Sequence, residues 1–239
     1  MRRFYLPEID SESGRAMLKD TEHHHARNVL RLEAGDEISV LDGRGREFVC
    51  RIESIDKKNT ELAIIRETRA AAPESPLDLT LAAVAVPGDK YDLIIQKAVE
   101  LGVTAFIPLT SARCELKLKE INKKTERWQR IILDASKQCG RAKLMALGEP
   151  HDVGDFLGSS PADHLRLFFS ERDGEAFPNG AASRITAVIG PKGGWDNAEL
   201  EAAKSVGFGI VTLGGRILRA ETAAISLTAV LQHRFGDLN

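Results

Sequence analysis

The chain has 239 residues, 43% hydrophobic and 28% charged, with a formal net charge of −2, which fits a globular protein with a real core and excludes global basicity as a sign of a nucleic-acid partner. No apolar run approaches the roughly 20 residues that span a bilayer, and the opening MRRFYLPEID has no apolar secretory core, so a cytoplasmic location is expected. Three scattered cysteines, Cys50, Cys114 and Cys139, form no CxxC pair and argue against a disulfide framework or a zinc site.

In chain order, TEHHHARNVLRL predicts a short helix with Thr21 as N-cap and with His25, Val29 and Leu32 on one face, ended by Gly35. DEISVL, REFVCRIESI and TELAIIR then alternate apolar and polar residues between the turns DGRG and DKKN, which reads as a small barrel or curled sheet. AAAPESP carries two prolines and no periodicity. It places a linker at 71–76, between a unit at 1–70 and one at 77–239.

Beyond the linker, strand and helix alternate. LDLTLAAVAV is a strand, KYDLIIQKAVELG a helix that turns Tyr91, Ile94, Ile95, Ala98 and Leu101 inward, and TAFIPL a second strand. A further helix bears the stripe Trp128, Ile131, Ile132, Ala135 and Cys139, so Trp128 belongs to the core or to a subunit interface rather than to a base-stacking platform. From Arg113 to Lys143 there are ten Lys/Arg against four Asp/Glu, a local basic run that reads first as a solvated face and second as polyanion contact. HLRLFF, RITAVIG and FGIVTL complete an α/β domain with a largely parallel sheet covered on both faces.

Two glycine turns stand out in this domain. GPKGG follows the strand RITAVI and leads, through the capping pair Asp196 and Glu199, into a helix; LGGRIL follows FGIVTL and leads into ETAAISLTAVLQHRF. Both lie at the carboxyl ends of strands, where open α/β sheets bind ligands, and bare glycines let a ligand approach the backbone. Tight turns with no ligand are the competing reading. GxxxxGK[ST] is absent and no GxGxxG opens a helix after the first strand, which disfavours a nucleoside triphosphate and a dinucleotide.

IGPKGGW followed by LGGRILRAETAA resembles the closing motifs of the SPOUT superfamily of RNA methyltransferases, and specifically the 16S rRNA uridine N3-methyltransferases. The resemblance extends over nearly the whole chain, through HHHARNVLRLEAGDEISVLDGRG, IIQKAVELGVTAFIPL and the RW-containing helix with its KQCGR end. It implies a PUA-like RNA-binding β-barrel ahead of an α/β methyltransferase domain with a trefoil knot, S-adenosyl-L-methionine as methyl donor, 16S rRNA of the small ribosomal subunit as substrate, and a homodimer. The knot rests on the resemblance alone. The sequence departs from the family pattern at Lys192, where an acidic residue is usual, and at Ala220, often Thr.

Carried over residue by residue, the resemblance puts the donor against Ile189, Gly190, Gly193, Leu213, Gly214, Ile217, Leu218, Thr222 and Ala223. Arg219 is expected to steady the anion that forms as uracil N3 loses its proton, since a guanidinium stays charged and donates in a fixed fork. Glu221 is either a general base, which requires a raised pKa, or the structural partner of Arg219. Arg2, Arg3, Phe4, Arg27, Arg31, Gln138 and Arg141 are expected RNA contacts. The run His23–His25 diverges around a helix without a ligand-spaced carboxylate or cysteine, so no metal is expected. A non-catalytic RNA-binding or ribosome-assembly protein is the alternative. The intact GGRILRAET loop favours the enzyme.

Overall fold

A computed structural model describes residues 1–238. By contact density they divide into two units, one of Met1–Glu74 with Leu133–Leu144 and one of the remainder.

The smaller unit is built on a five-stranded sheet in the order β1-β3-β4-β5-β2. The strands are β1 (Arg3–Tyr5), β2 (Arg15–Leu18), β3 (Glu37–Leu41), β4 (Glu47–Ile55) and β5 (Thr60–Thr68). β1 runs parallel to β3, while the β3, β4, β5 and β2 pairings are antiparallel, and β4 against β5 carries two register shifts that curl the sheet. Alternation drives Phe4, Ile38, Val40, Phe48, Cys50, Ile52 and Leu62 to the inner face as one core. Burial pushes the Cys50 thiol up to about 11, so it behaves as an inert apolar side chain.

The expected helix after Leu18 takes an unexpected form. α1 (Asp20–His24) is followed by a π-helical turn, His25–Val29, closed by Leu30 N–H donating to the His25 carbonyl. The wider turn changes which residues face inward. His23 and Ala26 are buried, whereas His25 is exposed and Val29 is 61% exposed, which corrects the expected inward placing of His25 and Val29, while Leu32 packs against the core as expected. His23 meets the Thr60 hydroxyl through Nδ1 at 2.9 Å, which accounts for a buried histidine without a metal. Segment Leu133–Leu144 completes this unit. Ala72 N–H donates to the Gly140 carbonyl, and a Cβ on Gly140 would lie 3.1 Å from that amide nitrogen.

The larger unit holds a parallel sheet in the order β12-β10-β11-β6-β7-β8, with β9 also paired to β7. Its strands are β6 (Asp78–Val84), β7 (Ala105–Thr110), β8 (Ala146–Leu147), β9 (His151–Asp152), β10 (Leu165–Phe169), β11 (Arg184–Ile189) and β12 (Gly209–Val211). The helices are α2 (Asp89–Glu100), α3 (Leu118–Asn122), α4 (Thr125–Cys139), α5 (Val153–Ser159), α6 (Asn197–Ser205) and α7 (Ala220–Phe235). α4 gives its residues up to Ile132 to this unit. Trp128 is fully buried, packs against Tyr91 with ring centroids 4.9 Å apart and planes tilted by 54°, and donates to Asp92, so it is core.

α6 begins as the sequence implies. Asp196 accepts from Ala198 N–H and Glu199 reaches back to the Asp196 amide, a reciprocal capping box, and Gly207 at φ 86° follows its end. No helix among the described residues is long and apolar enough to cross a membrane.

Candidate active site

Three strand ends lie level at one edge of the parallel sheet: Phe169 of β10 is in register with Ile189 of β11 on one side and Val211 of β12 on the other. The strands that lead into the two glycine loops are therefore not paired with each other. β10 lies between them.

Trp195 organises this edge. Its indole N–H donates to the Phe169 carbonyl at 2.8 Å and its ring stacks on Phe168 at 4.2 Å. A Cβ on Gly190 would fall 2.7 Å from the indole nitrogen, so this glycine is required by packing against Trp195. Gly194, at φ +70°, turns where a Cβ would strike the Glu171 carboxylate. Arg113 donates to the Gly193 carbonyl at 3.0 Å, and Glu199 accepts from Ala112 N–H at 2.8 Å. Arg172 reaches the Trp195 carbonyl and Asn197. The turn after β11 is thus held from the loops that follow β7 and β10.

The second glycine loop is different. Gly214, at φ +60°, and Gly215 face open space, with nothing within 4 Å of a built Cβ. Among the described residues, no amide from Leu213 to Leu218 has a hydrogen-bond partner, and Ile217 is 85% exposed. Such free backbone donors beside apolar side chains suit a ligand that combines a flat ring with polar edges.

Between these loops runs a cleft lined by Phe169, Ser170, Glu171, Ile189, Gly190, Pro191, Val211, Leu213, Arg216, Leu218, Ala223 and Leu227. Five expected donor contacts therefore line it: Ile189, Gly190, Leu213, Leu218 and Ala223. Gly193, Gly214, Ile217 and Thr222 do not. The other seven lining residues, Phe169, Ser170, Glu171, Pro191, Val211, Arg216 and Leu227, were not singled out by the sequence. The signal available was the strand HLRLFF itself, whose end shares the sheet edge although its loop has no glycine.

A second cleft, of about 380 Å³, opens over the ends of β11, β6 and β7, and is lined by Val86, Pro87, Lys90, Glu115, Lys192, Arg219, Ala220 and Glu221. The two clefts share their walls. Pro191 and Leu218 face the first while their chain neighbours Lys192 and Arg219 face the second.

Arg219 is the N-cap residue of α7, exposed, and its side chain is in no hydrogen bond or close ion pair among the described residues. Glu221 pairs with Lys90 at 3.0 Å rather than with Arg219. Its own backbone N–H, then the Lys90 ammonium, hold its carboxyl below the usual carboxylate range, the reverse of what a general base requires.

The expected RNA contacts separate into two groups. Arg2, Arg27, Arg31 and Gln138 are exposed on the smaller unit. Three others are corrected by their burial. Phe4 is 1% exposed and packs edge-on against His25, so it offers no stacking face. Arg3 is bound to Glu47 at 2.8 Å and to the Ser136 and Arg141 carbonyls. Arg141 is buried against Glu74 at 2.7 Å. No cluster of three or more metal-binding side chains occurs among the described residues.

The RNA methyltransferase domain family matches residues 73–232, and the RNA methyltransferase PUA domain family matches 18–65, so sheet edge and barrel together define an RNA methyltransferase architecture. The chain is 33% identical to a ribosomal RNA small subunit methyltransferase E of Aquifex aeolicus over 91% of its length and 93% of that protein. A crystal structure of the Neisseria gonorrhoeae enzyme of that name, bound to S-adenosyl methionine, superposes with a TM-score of 0.91 at 35% identity and covers all of both chains. A putative methyltransferase from Legionella pneumophila, in complex with the cofactor SAM, gives 0.91 at 32% identity over 99% of each chain. The chain belongs to the ribosomal RNA small subunit methyltransferase E family.

Proposed function

We propose that the protein transfers the methyl group of S-adenosyl-L-methionine to N3 of a uridine in the 16S rRNA of the small ribosomal subunit. The observation that carries this reading is the shared wall: consecutive residues of two loops face a slot with free backbone donors on one side and a charged cleft on the other. A donor in the first and a base in the second meet across that wall.

When bound, S-adenosylmethionine supplies an electrophilic sulfonium methyl. Leu213, Leu218, Ile189 and Val211 form the apolar slot for its ring, the amides of the Leu213–Leu218 loop meet its polar edges, and Glu171 and Arg216 suit its charged ends. On the acceptor side, N3 carries a proton that must leave before nitrogen can attack, and the resulting charge spreads onto the flanking carbonyl oxygens. Arg219, whose side chain is in no hydrogen bond or close ion pair among the described residues and only lends its charge to Glu221, donates to one of them and stabilises that anion. Glu221, held ionised, keeps Lys90 and the first turn of α7 in place, and the N3 proton passes to solvent.

The smaller unit is assigned to RNA capture through Arg2, Arg27, Arg31 and Gln138. A trefoil knot at the C-terminal end, a homodimer and a cytoplasmic location belong to the same proposal and rest on the family resemblance. The test is to incubate the protein with labelled donor and undermethylated small subunits, then locate the product by nuclease digestion and mass spectrometry. Label at uridine N3 is expected. RNA binding without label, from protein that binds donor, identifies a non-catalytic RNA-binding protein instead.

A further inference from the structure

The second cleft contains a charge arrangement that methyl transfer to a base does not use. Three cations line it, Lys90, Lys192 and Arg219, with two carboxylates, Glu115 and Glu221. Lys90 is committed to Glu221 at 3.0 Å, with that carboxylate largely shielded. Arg219 is assigned to the uracil oxygen. Lys192 is held only by Glu115, at 4.0 Å, and both side chains are exposed, at 77% and 59%.

Their placement matters. Lys192 follows β11 and Glu115 follows β7, and the strand between them, β6, leads to Val86 and Pro87, which also line the cleft. The pair thus spans the mouth. An exposed ion pair at this distance is worth little, so a competing anion exchanges for the carboxylate readily. The base in the cleft is one unit of a chain whose phosphodiesters each carry one negative charge, and of the two lysines in the cleft Lys192 is the more exposed, at 77% against 47%.

We propose that Lys192 is a phosphodiester clamp: on RNA entry it exchanges Glu115 for the backbone phosphate beside the target nucleotide, and Glu115 is a built-in competitor that limits the strength of the grip. This rests on the second cleft being the acceptor site. It gives Lys192 a role of its own in a turn where Gly190 and Gly194 serve packing, and it specifies a ligand class, single-stranded RNA backbone, for a cleft with one surplus positive charge.

The test measures binding of a short single-stranded oligoribonucleotide containing one uridine, by fluorescence anisotropy over a range of salt. Lys192→Gln is expected to weaken binding roughly threefold to tenfold and to reduce the salt slope by about 0.7, the value for one lost phosphate contact on a single strand. Glu115→Gln is expected to tighten binding in the parent and to have a much smaller effect in the Lys192→Gln background. Lys204→Gln removes the same charge from α6, where Lys204 pairs with Glu201 away from this cleft, and is expected to leave the slope unchanged. An unchanged slope in Lys192→Gln, or an equal fall in Lys204→Gln, overturns the clamp. Methylation of small subunits is scored separately: a missing Lys192 effect with methylation retained sinks the clamp alone, while a normal Lys192 effect without methylation sinks the proposed reaction alone.

Discussion

Arg219 occupies a position for which arginine is poorly suited structurally. An N-cap side chain stabilises a helix by accepting from the first amides, and a guanidinium has no acceptor; Arg219 makes no such bond. Arg219→Ser is therefore expected to raise the thermal midpoint, by the equivalent of about 0.5–2 kcal/mol. Methyl transfer by the same variant is expected to fall on the order of 100-fold to 1,000-fold, as when one donor to a developing oxyanion is lost, with donor affinity kept. A variant that gains stability and keeps its rate removes Arg219 from the mechanism. At Gly190 the conflict is steric. Gly190→Ala drives a methyl into the Trp195 indole and disturbs its bond to Phe169, at an expected cost of about 1–3 kcal/mol by thermal unfolding. In the smaller unit, burial acts to raise the Glu47 carboxyl, but bonds from Arg3 and Ser39 outweigh it and hold it below its ordinary 4.5. A lowered folded-state value means that its stabilisation is complete above the ordinary range and is lost as pH falls through the folded value. The difference in thermal midpoint between the parent and Glu47→Gln should thus narrow on acidification from pH 7; a constant gap would contradict the pairing.

Loops and turns carry the next level of consequence. The proposed donor cleft holds about 80 Å³, below the roughly 300 Å³ at which small-molecule sites begin, so donor binding is expected to move the exposed Leu213–Leu218 segment. Hydrogen exchange at those amides should slow on donor addition, while the Gly190–Gly194 turn, already fixed by Arg113 and Trp195, changes little. Equal protection of both turns would show that the second loop is not the moving part. Arg31, just past the π-helical turn, sits at φ 52°, a conformation that costs a side-chain-bearing residue about 1 kcal/mol and that glycine adopts freely. If Arg31 contacts RNA, Arg31→Gly weakens RNA binding without lowering the thermal midpoint; unchanged RNA affinity would end that assignment. The π turn also explains where sequence reading stopped. A 3.6-residue period put His25 and Val29 inward, and nothing in TEHHHARNVL announces the extra residue that turns His23 and Ala26 inward instead. The capping box at Asp196 was legible because its side chains and spacing are themselves the structure. The lateral order of strands was not: that β10 lies between the strands leading into the two glycine loops depends on pairing between distant segments, which no local pattern records.

At the scale of the whole chain, proline content marked the change from barrel to α/β unit near residue 74, but Leu133–Leu144 belongs with the barrel residues although its helix, α4, reads as one uninterrupted amphipathic stripe. Helical periodicity reports which side of a helix is apolar and is silent about which core receives each end. The same distinction bears on assembly. ETAAISLTAVLQHRF is rich in apolar residues, yet α7 buries one side, Ala220, Ala224, Leu227 and Leu231, and leaves Thr222, Ser226, Ala229 and His233 exposed or half-exposed on the other. Small residues at three- and four-residue spacing let a second helix approach closely, and a charged side chain there would keep it away. If the proposed homodimer closes over this stripe, the parent sediments at about twice its 26.2 kDa chain mass and Ala229→Arg sediments as a folded monomer with its circular dichroism unchanged. Donor titration of that monomer then separates two roles for the second copy. Ala223 lines the donor cleft from the same helix, so weakened donor binding in the monomer means that the partner supports the slot, while unaltered binding with lost methyl transfer means that the partner serves the RNA. A parent that sediments as a monomer at micromolar concentration, or an Ala229→Arg variant that remains dimeric, excludes this face as the interface.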